Sequence, residues 1–202
     1  MNKRTALVVL LLGGLAWYVF LPATHATHSA PPTQTVSPVV RHAVVFPNST
    51  SGQHRVQGPP TVTASFIDRV LALAGSPATG IGTVLYQQGV TYGIDPVYAL
   101  AFFHHESSFG LAGVARSTHS IGNIRCTQGY ACDPSGGYRS YPSYAVAVHD
   151  WYTLIASVYI AHGLNTVEKI VPVYAPNADN NNESAYIASV NADVARWRQG
   201  EV

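Results

Sequence analysis

Residues 95–110 read Asp95-Pro96-Val97-Tyr98-Ala99-Leu100-Ala101-Phe102-Phe103-His104-His105-Glu106-Ser107-Ser108-Phe109-Gly110. Asp-Pro is a strong helix start, because the carboxylate caps free N–H groups and proline at the first helical position has none to leave unpaired. The apolar run that follows predicts a helix from Val97 to about Ser107. Glu106 stands near its C-terminal end, and Ala99, Phe102 and Phe103, one or two turns earlier, share its face. A carboxyl beside aromatic rings is poorly solvated, and the negative end of the helix dipole also disfavours its charge. A glutamic acid kept protonated near neutral pH is the general acid that glycosidic cleavage needs. The alternative is that Glu106 is only the first polar residue where the helix surfaces.

The flanking sequence predicts further helices. Ser65 can cap one running to Ala74, with Phe66, Val70 and Leu73 on one face. A second covers about Thr79 to Tyr92 and stops at Gly93. After Glu106, a Gly/Ser/Thr loop leads to Gly122. Ile121–Arg125 and Tyr138–Tyr141 read as two short strands around a turn-rich tip, Asp133-Pro134-Ser135-Gly136-Gly137. Ser143 caps a nearly all-apolar helix to about Ile160, expected at the centre of a bundle. Asn165-Thr166-Val167-Glu168 is a capping-box pattern for a short helix to about Val173, and Glu183–Arg198 reads as the last helix. The expected fold class is α+β, mostly α, with a small β-hairpin lobe inserted after the Glu106 helix.

Three segments of this pattern resemble a known family. The apolar helix ending in Glu106-Ser107, followed by Phe109-Gly110, is similar to the catalytic-helix motif of the lysozyme-like superfamily. Ser120-Ile121-Gly122-Asn123-Ile124 resembles the Gly-Asn-aliphatic segment of the bacterial glucosaminidase family. Tyr174-Ala175-Pro176, followed by Tyr186-Ile187, resembles that family's Tyr-Ala segment and its downstream tyrosine. The resemblance extends over about residues 65–200. It implies a lysozyme-like helical domain with endo-β-N-acetylglucosaminidase activity on peptidoglycan glycan strands, Glu106 as the acid, Tyr174 or Tyr186 as a site tyrosine, and Asn123 near the acid, where its amide can bond an N-acetyl group. A lytic transglycosylase on the same scaffold, or a catalytically silent wall-binding module, would use the same groove.

The second catalytic group is open. Asp133, at the hairpin tip, could swing over the cleft. Asp150, on the apolar helix, reads as a buried structural acid, and Glu183 as a first-turn acid facing the helix dipole. Asp179 borders the Asn run. Glu106, a tyrosine and the substrate's own acetamido group would also suffice. Substrate-binding candidates are Ser107, Asn123, Tyr138 and Trp151, with Arg125, Tyr130 and Tyr141 as further groove candidates; for each aromatic, simple packing is the competing role. His104 and His105 lack a second His at zincin spacing, so no metal is expected, and no cofactor either.

Basic Asn2-Lys3-Arg4 precedes an apolar run from Ala6 to Leu21, a pattern that directs export and leaves the basic end in the cytoplasm. Residues 1–21 are therefore an uncleaved anchor or a cleaved signal peptide. Residues 22–60 are rich in Pro, Thr and Ser and read as a semi-rigid linker, reaching on the order of 100 Å at about 3.1 Å per residue. The globular domain is expected over 61–202. An exported domain facing the cell wall is an oxidising setting in which Cys126 and Cys132 pair, and closing so short a loop contributes about 2–2.5 kcal/mol on the chain-entropy account. A net charge of +1 offers no footprint for nucleic acid. The expected partners are glycan strands and, through the N-terminus, a membrane; a monomer is expected.

Overall fold

The computed structural model describes residues 54–202; the expected anchor or signal segment, and the linker up to residue 53, lie outside the described residues. Among the described residues seven α-helices form one domain: α1 (Ala64–Leu73), α2 (Gly82–Tyr92), α3 (Pro96–Ser107), the short α4 (Ala115–Thr118), α5 (Tyr144–Leu154), α6 (Val167–Tyr174) and α7 (Glu183–Arg198). None of the described helices is long and apolar enough to cross a membrane.

The central helix is α3. Every residue from Pro96 to Phe103 is buried, as befits a helix apolar on all sides. Asp95 caps it as the sequence predicts, its Oδ1 accepting the Val97 N–H at 3.2 Å. That carboxylate, only 2% exposed, does more than cap. It accepts from Thr61 N (3.0 Å), Thr61 Oγ1 (2.6 Å) and Arg198 Nη2 (3.0 Å). Arg198 ends α7, while Tyr186 near the start of α7 reaches Glu106 near the end of α3. The two helices therefore run antiparallel, clasped at both ends. On another side α5 lays Trp151 against Phe102 (5.5 Å between ring centroids) and Phe103 (5.3 Å).

The helices form largely where the periodicity places them, with differences that have local causes. The first is capped by Thr63, whose Oγ1 accepts the Phe66 N–H, and Ser65 lies inside it. Its buried face is Phe66, Ile67, Val70 and Leu71, while Leu73 is 71% exposed. The apolar helix expected to Ile160 is α-helical only to Leu154 and continues as a π-turn over Ile155–Tyr159. Within it Ser157 Oγ donates to the Thr153 carbonyl at 2.6 Å, competing with the backbone for that acceptor and loosening the ladder. This helix flanks the core rather than forming its centre, since Val146 and Val158 are exposed. The capping box at Asn165 does not form. Thr166 is the N-cap, and Glu168 instead holds His54 and Asn191.

Two boundaries change. Residues 54–60, assigned by composition to the linker, belong to the domain. Val56 is fully buried, its N–H donating to Asn165 O (3.0 Å) and its carbonyl accepting from Asp95 N (2.9 Å). Isolated antiparallel bridges Arg55–Thr166 and Gln57–Ile94 continue this strap. The expected β-hairpin lobe is not formed as strands; only isolated bridges Arg125–Tyr138 and Cys132–Arg139 join its two sides. Gly129 and Gly136 adopt positive φ, Pro134 has no N–H, and the Asp133 carboxylate takes the Tyr138 N–H, so no ladder extends. A Cys126–Cys132 disulfide closes the loop.

Because Asp95 ties the strap, α3 and α7 together, Asp95→Ala should lower stability by about 3 kcal/mol, the lower range for breaking a buried pair and stranding its partners. Urea unfolding followed by far-UV circular dichroism measures it.

Candidate active site

The turn after α3 sets up the site. Ser108 and Phe109 have φ of 48° and 58°, followed by Gly110 at 87°. Two successive non-glycine residues in the left-handed region cost on the order of 1–3 kcal/mol each. Packing holds them there: Phe109 is 3% exposed, stacks on His104 at 4.8 Å, and its carbonyl accepts from Ser76 Oγ at 2.7 Å. Ser107 is buried at the hinge. Its hydroxyl donates to Ile121 O (2.8 Å) and accepts from Gly110 N (2.8 Å). The expected substrate-binding role of Ser107 is thereby corrected, because both functions of its hydroxyl are spent on pinning the 107–121 loop to α3.

That pin brings Gly122 and Asn123 beneath the end of α3. Gly122 has no room for a side chain, since a Cβ there would lie 2.8 Å from Trp151 Cδ1 and 3.2 Å from Tyr174 Oη. The Tyr174 hydroxyl donates to the Gly122 carbonyl. Asn123 adopts φ of 45°, and its Nδ2 donates to the Glu106 backbone carbonyl at 2.6 Å. Its Oδ1 is buried without a partner.

A cleft opens above these groups, lined by Glu106, Asn123, Tyr138, Tyr174 and Tyr186 together with His105, Arg125, Ala175, Asp179 and Asn181. Six of the sequence-predicted site and groove residues, Glu106, Asn123, Arg125, Tyr138, Tyr174 and Tyr186, thus meet in one place. Tyr186 Oη donates to Glu106 Oε1 at 2.6 Å, its ring 5.6 Å from Phe102 on one side and stacked under His105 at 3.7 Å on the other. Burial among these rings pushes the Glu106 carboxyl up to about 7; the Tyr186 hydroxyl, the Asn123 amide and the Arg125 charge oppose the shift and do not cancel it. Burial and the Glu106 charge raise Tyr186 well above the ordinary phenol range, so it acts as a donor. Burial and neighbouring His104 lower His105 below the ordinary histidine value, leaving it neutral at pH 7.

Two candidates lie elsewhere. Trp151 is fully buried behind the cleft, enclosed by Phe102, Phe103 and Tyr152; it supports the floor and does not line the groove. Asp133 is absent from the cleft lining. Its carboxylate is turned into its own loop, accepting from Ser135 N (3.1 Å), Ser135 Oγ and Tyr138 N (2.7 Å), and these donors hold it below the usual carboxylate range. Asp150 has the expected structural role, accepting from Tyr141 Oη (2.6 Å) and Arg139 Nη1 (2.7 Å). Tyr130 caps that network with its ring under the Arg139 guanidinium.

Sequence reasoning missed Ala175 and Asn181, and it did not pair His105 with Tyr186. The Asn run at 177–182 was the available signal. Asn177 N–H donates to Glu183 Oε1 and Glu183 N–H to Asn177 Oδ1, a reciprocal cap that folds the run back over the cleft. No protein-family model matches the chain, and no curated protein matches it.

The raised Glu106 value has a consequence for stability. A carboxyl ordinarily near 4.5 that holds its proton to about 7 favours the folded state fully below pH 4.5, and that contribution is lost as pH rises through 7. Glu106→Gln keeps the acceptor for Tyr186 and removes the charge. Relative to the parent it should gain stability between pH 4.5 and 8, by about 3 kcal/mol at most. Thermal melts at both pH values check this; a constant difference would contradict the assigned shift.

Proposed function

We propose that this protein cleaves the β-1,4 glycosidic bond of peptidoglycan glycan strands, with Glu106 as general acid. The observation that carries this reading is a carboxyl held up to about 7 in an open cleft, with one oxygen accepting from a buried phenol. Tyr186 occupies Oε1 and leaves Oε2 to carry the transferable proton. That proton passes to the leaving glycosidic oxygen as the C–O bond breaks and positive charge develops on the sugar ring. The Asn123 amide and the Tyr174 phenol border the same space and suit an N-acetyl group or the attacking water.

A mainly helical domain whose buried helix ends in Glu106-Ser107 is compatible with the lysozyme-like fold and with the glucosaminidase resemblance. The disulfide suits an extracytoplasmic, wall-facing location, whether the N-terminal segment anchors the chain or is cleaved. One observation favours a second reading, transglycosylation. With Asp133 turned into its own loop, the other carboxylate lining the cleft is Asp179, and it is bonded to Arg125. A single-acid mechanism fits this set: the substrate's acetamido group assists hydrolysis, or a sugar hydroxyl displaces the bond.

Digestion of purified peptidoglycan with mass analysis of the new ends separates these outcomes. Reducing N-acetylglucosamine ends mark the glucosaminidase, and anhydro-muramyl ends mark the transglycosylase. Binding without turnover marks a wall-binding module and refutes the enzyme reading. Glu106→Gln should lose at least about 10²-fold in turnover while remaining folded. Tyr186→Phe removes a donor that favours the ionised carboxylate, so the alkaline limb of its rate profile, near pH 7 in the parent, should move to higher pH. An unmoved limb would detach Tyr186 from the acid.

A further inference from the structure

The cleft has one charged contact that proton transfer does not use. Arg125 Nη2 donates to Asp179 Oδ2 at 3.3 Å, with the two side chains 58% and 48% exposed. Each comes from a different stretch of the chain, and both segments are held. Arg125 pairs with Tyr138 in an isolated bridge, lies over the Tyr138 ring at 5.1 Å, and is followed by disulfide-bonded Cys126. Asp179 ends a 3-10 turn (Asn177–Asp179) pinned by the reciprocal Asn177–Glu183 bonds.

We propose that Arg125 reads a carboxylate on the glycan, and that Asp179 occupies its guanidinium until such a substrate arrives; this rests on the glycan-cleaving reading of the cleft. A guanidinium offers five donors in a planar fork suited to a carboxylate, and Asp179 takes one of them through a single long contact. An exposed pair of that kind contributes little to stability and is readily exchanged. Among the cleft-lining residues Arg125 is the one permanent cation. A neutral sugar hydroxyl competes poorly with Asp179, whereas a carboxylate can bind both arms of the fork. Glycan strands of the wall supply that group from two sources: the lactyl ether of a peptide-free muramyl unit, or an acid of the attached stem peptide. Glycans built only from N-acetylglucosamine have neither.

The test uses the full chain carrying Glu106→Gln, so that bound glycan is not consumed, and titrates three tetrasaccharides by calorimetry. One is all N-acetylglucosamine; one alternates with peptide-free muramic acid; one alternates with peptide-bearing muramic acid. At low salt an acid-bearing ligand should bind about tenfold tighter than the neutral one, the worth of one charge-assisted contact. Added salt should shrink that ratio. Adding Arg125→Gln should bring the ratio near one, and adding Asp179→Asn should enlarge it. Preference for the peptide-free ligand assigns the lactyl acid; preference confined to the peptide-bearing one assigns the stem. Equal affinity for all three, or a ratio untouched by Arg125→Gln, overturns the inference and leaves the glycan reading standing. Failure to bind any of the three, with no turnover by the unsubstituted chain, overturns the glycan reading itself.

Discussion

The antiparallel clasp of α3 against α7 is the constraint on which the rest of the domain depends. One buried helix carries an acid at each end, and α7 answers the two ends differently. At the N-terminal end Asp95 receives two backbone N–H groups, a hydroxyl and the Arg198 guanidinium. At the C-terminal end Glu106 receives a phenol and no cation at bonding distance. The same packing that secures the helix therefore leaves its second carboxyl desolvated, with the Tyr186 and Asn123 bonds and the Arg125 charge too weak to offset the burial. A buried acid without a bonded cation keeps its proton, which is a cost to stability at high pH and the property a general acid needs.

The cleft around that acid is held by restraints that are individually local. Ser107 pins the loop that follows α3, Tyr174 pins Gly122, the disulfide closes the 126–132 loop, and Asn177 and Glu183 pin each other. Left-handed φ at Ser108, Phe109 and Asn123 concentrates backbone strain around Glu106. Strain of this kind persists only where surrounding packing over-determines it, and at Ser108 and Phe109 the stacked His104 and Phe109 rings, with Trp197 tilted against both, do so. The support comes from the α3–α7 interface, so site geometry and fold stability share residues, Glu106 among them.

Much of the architecture was legible because its signals are local. Asp95-Pro96 and Gly93 mark helix ends by backbone chemistry alone, and α7 begins and ends at the residues that periodicity indicates. Glu106 was legible for the same reason, since its aromatic neighbours lie one helical turn away in sequence. Expectations failed where a polar group had a choice of partners. Ser107 and Asp133 have the composition of site residues, yet each finds backbone groups nearby and is used up by them. Trp151 sits in a helix with apolar residues on several faces, so sequence spacing could not tell groove from core.

Local chemistry alone fixes the six longer helices, the acid near the end of the helix that Asp95-Pro96 starts, and the pairing of the two cysteines, because capping, periodicity and short loop closure act over a few residues; α4, a single turn, carries no such signal. Packing sets which tyrosine bonds Glu106, that the Asp133 carboxylate turns away from the cleft, and that Arg125 meets Asp179 across 54 positions of chain. Tyr186 and Glu106 are 80 positions apart. A contact at such separation depends on how α7 lies on α3, and that docking follows from the burial of Tyr186, Val190, Val194 and Trp197 as one face, a property of the packed core that no single stretch of sequence contains.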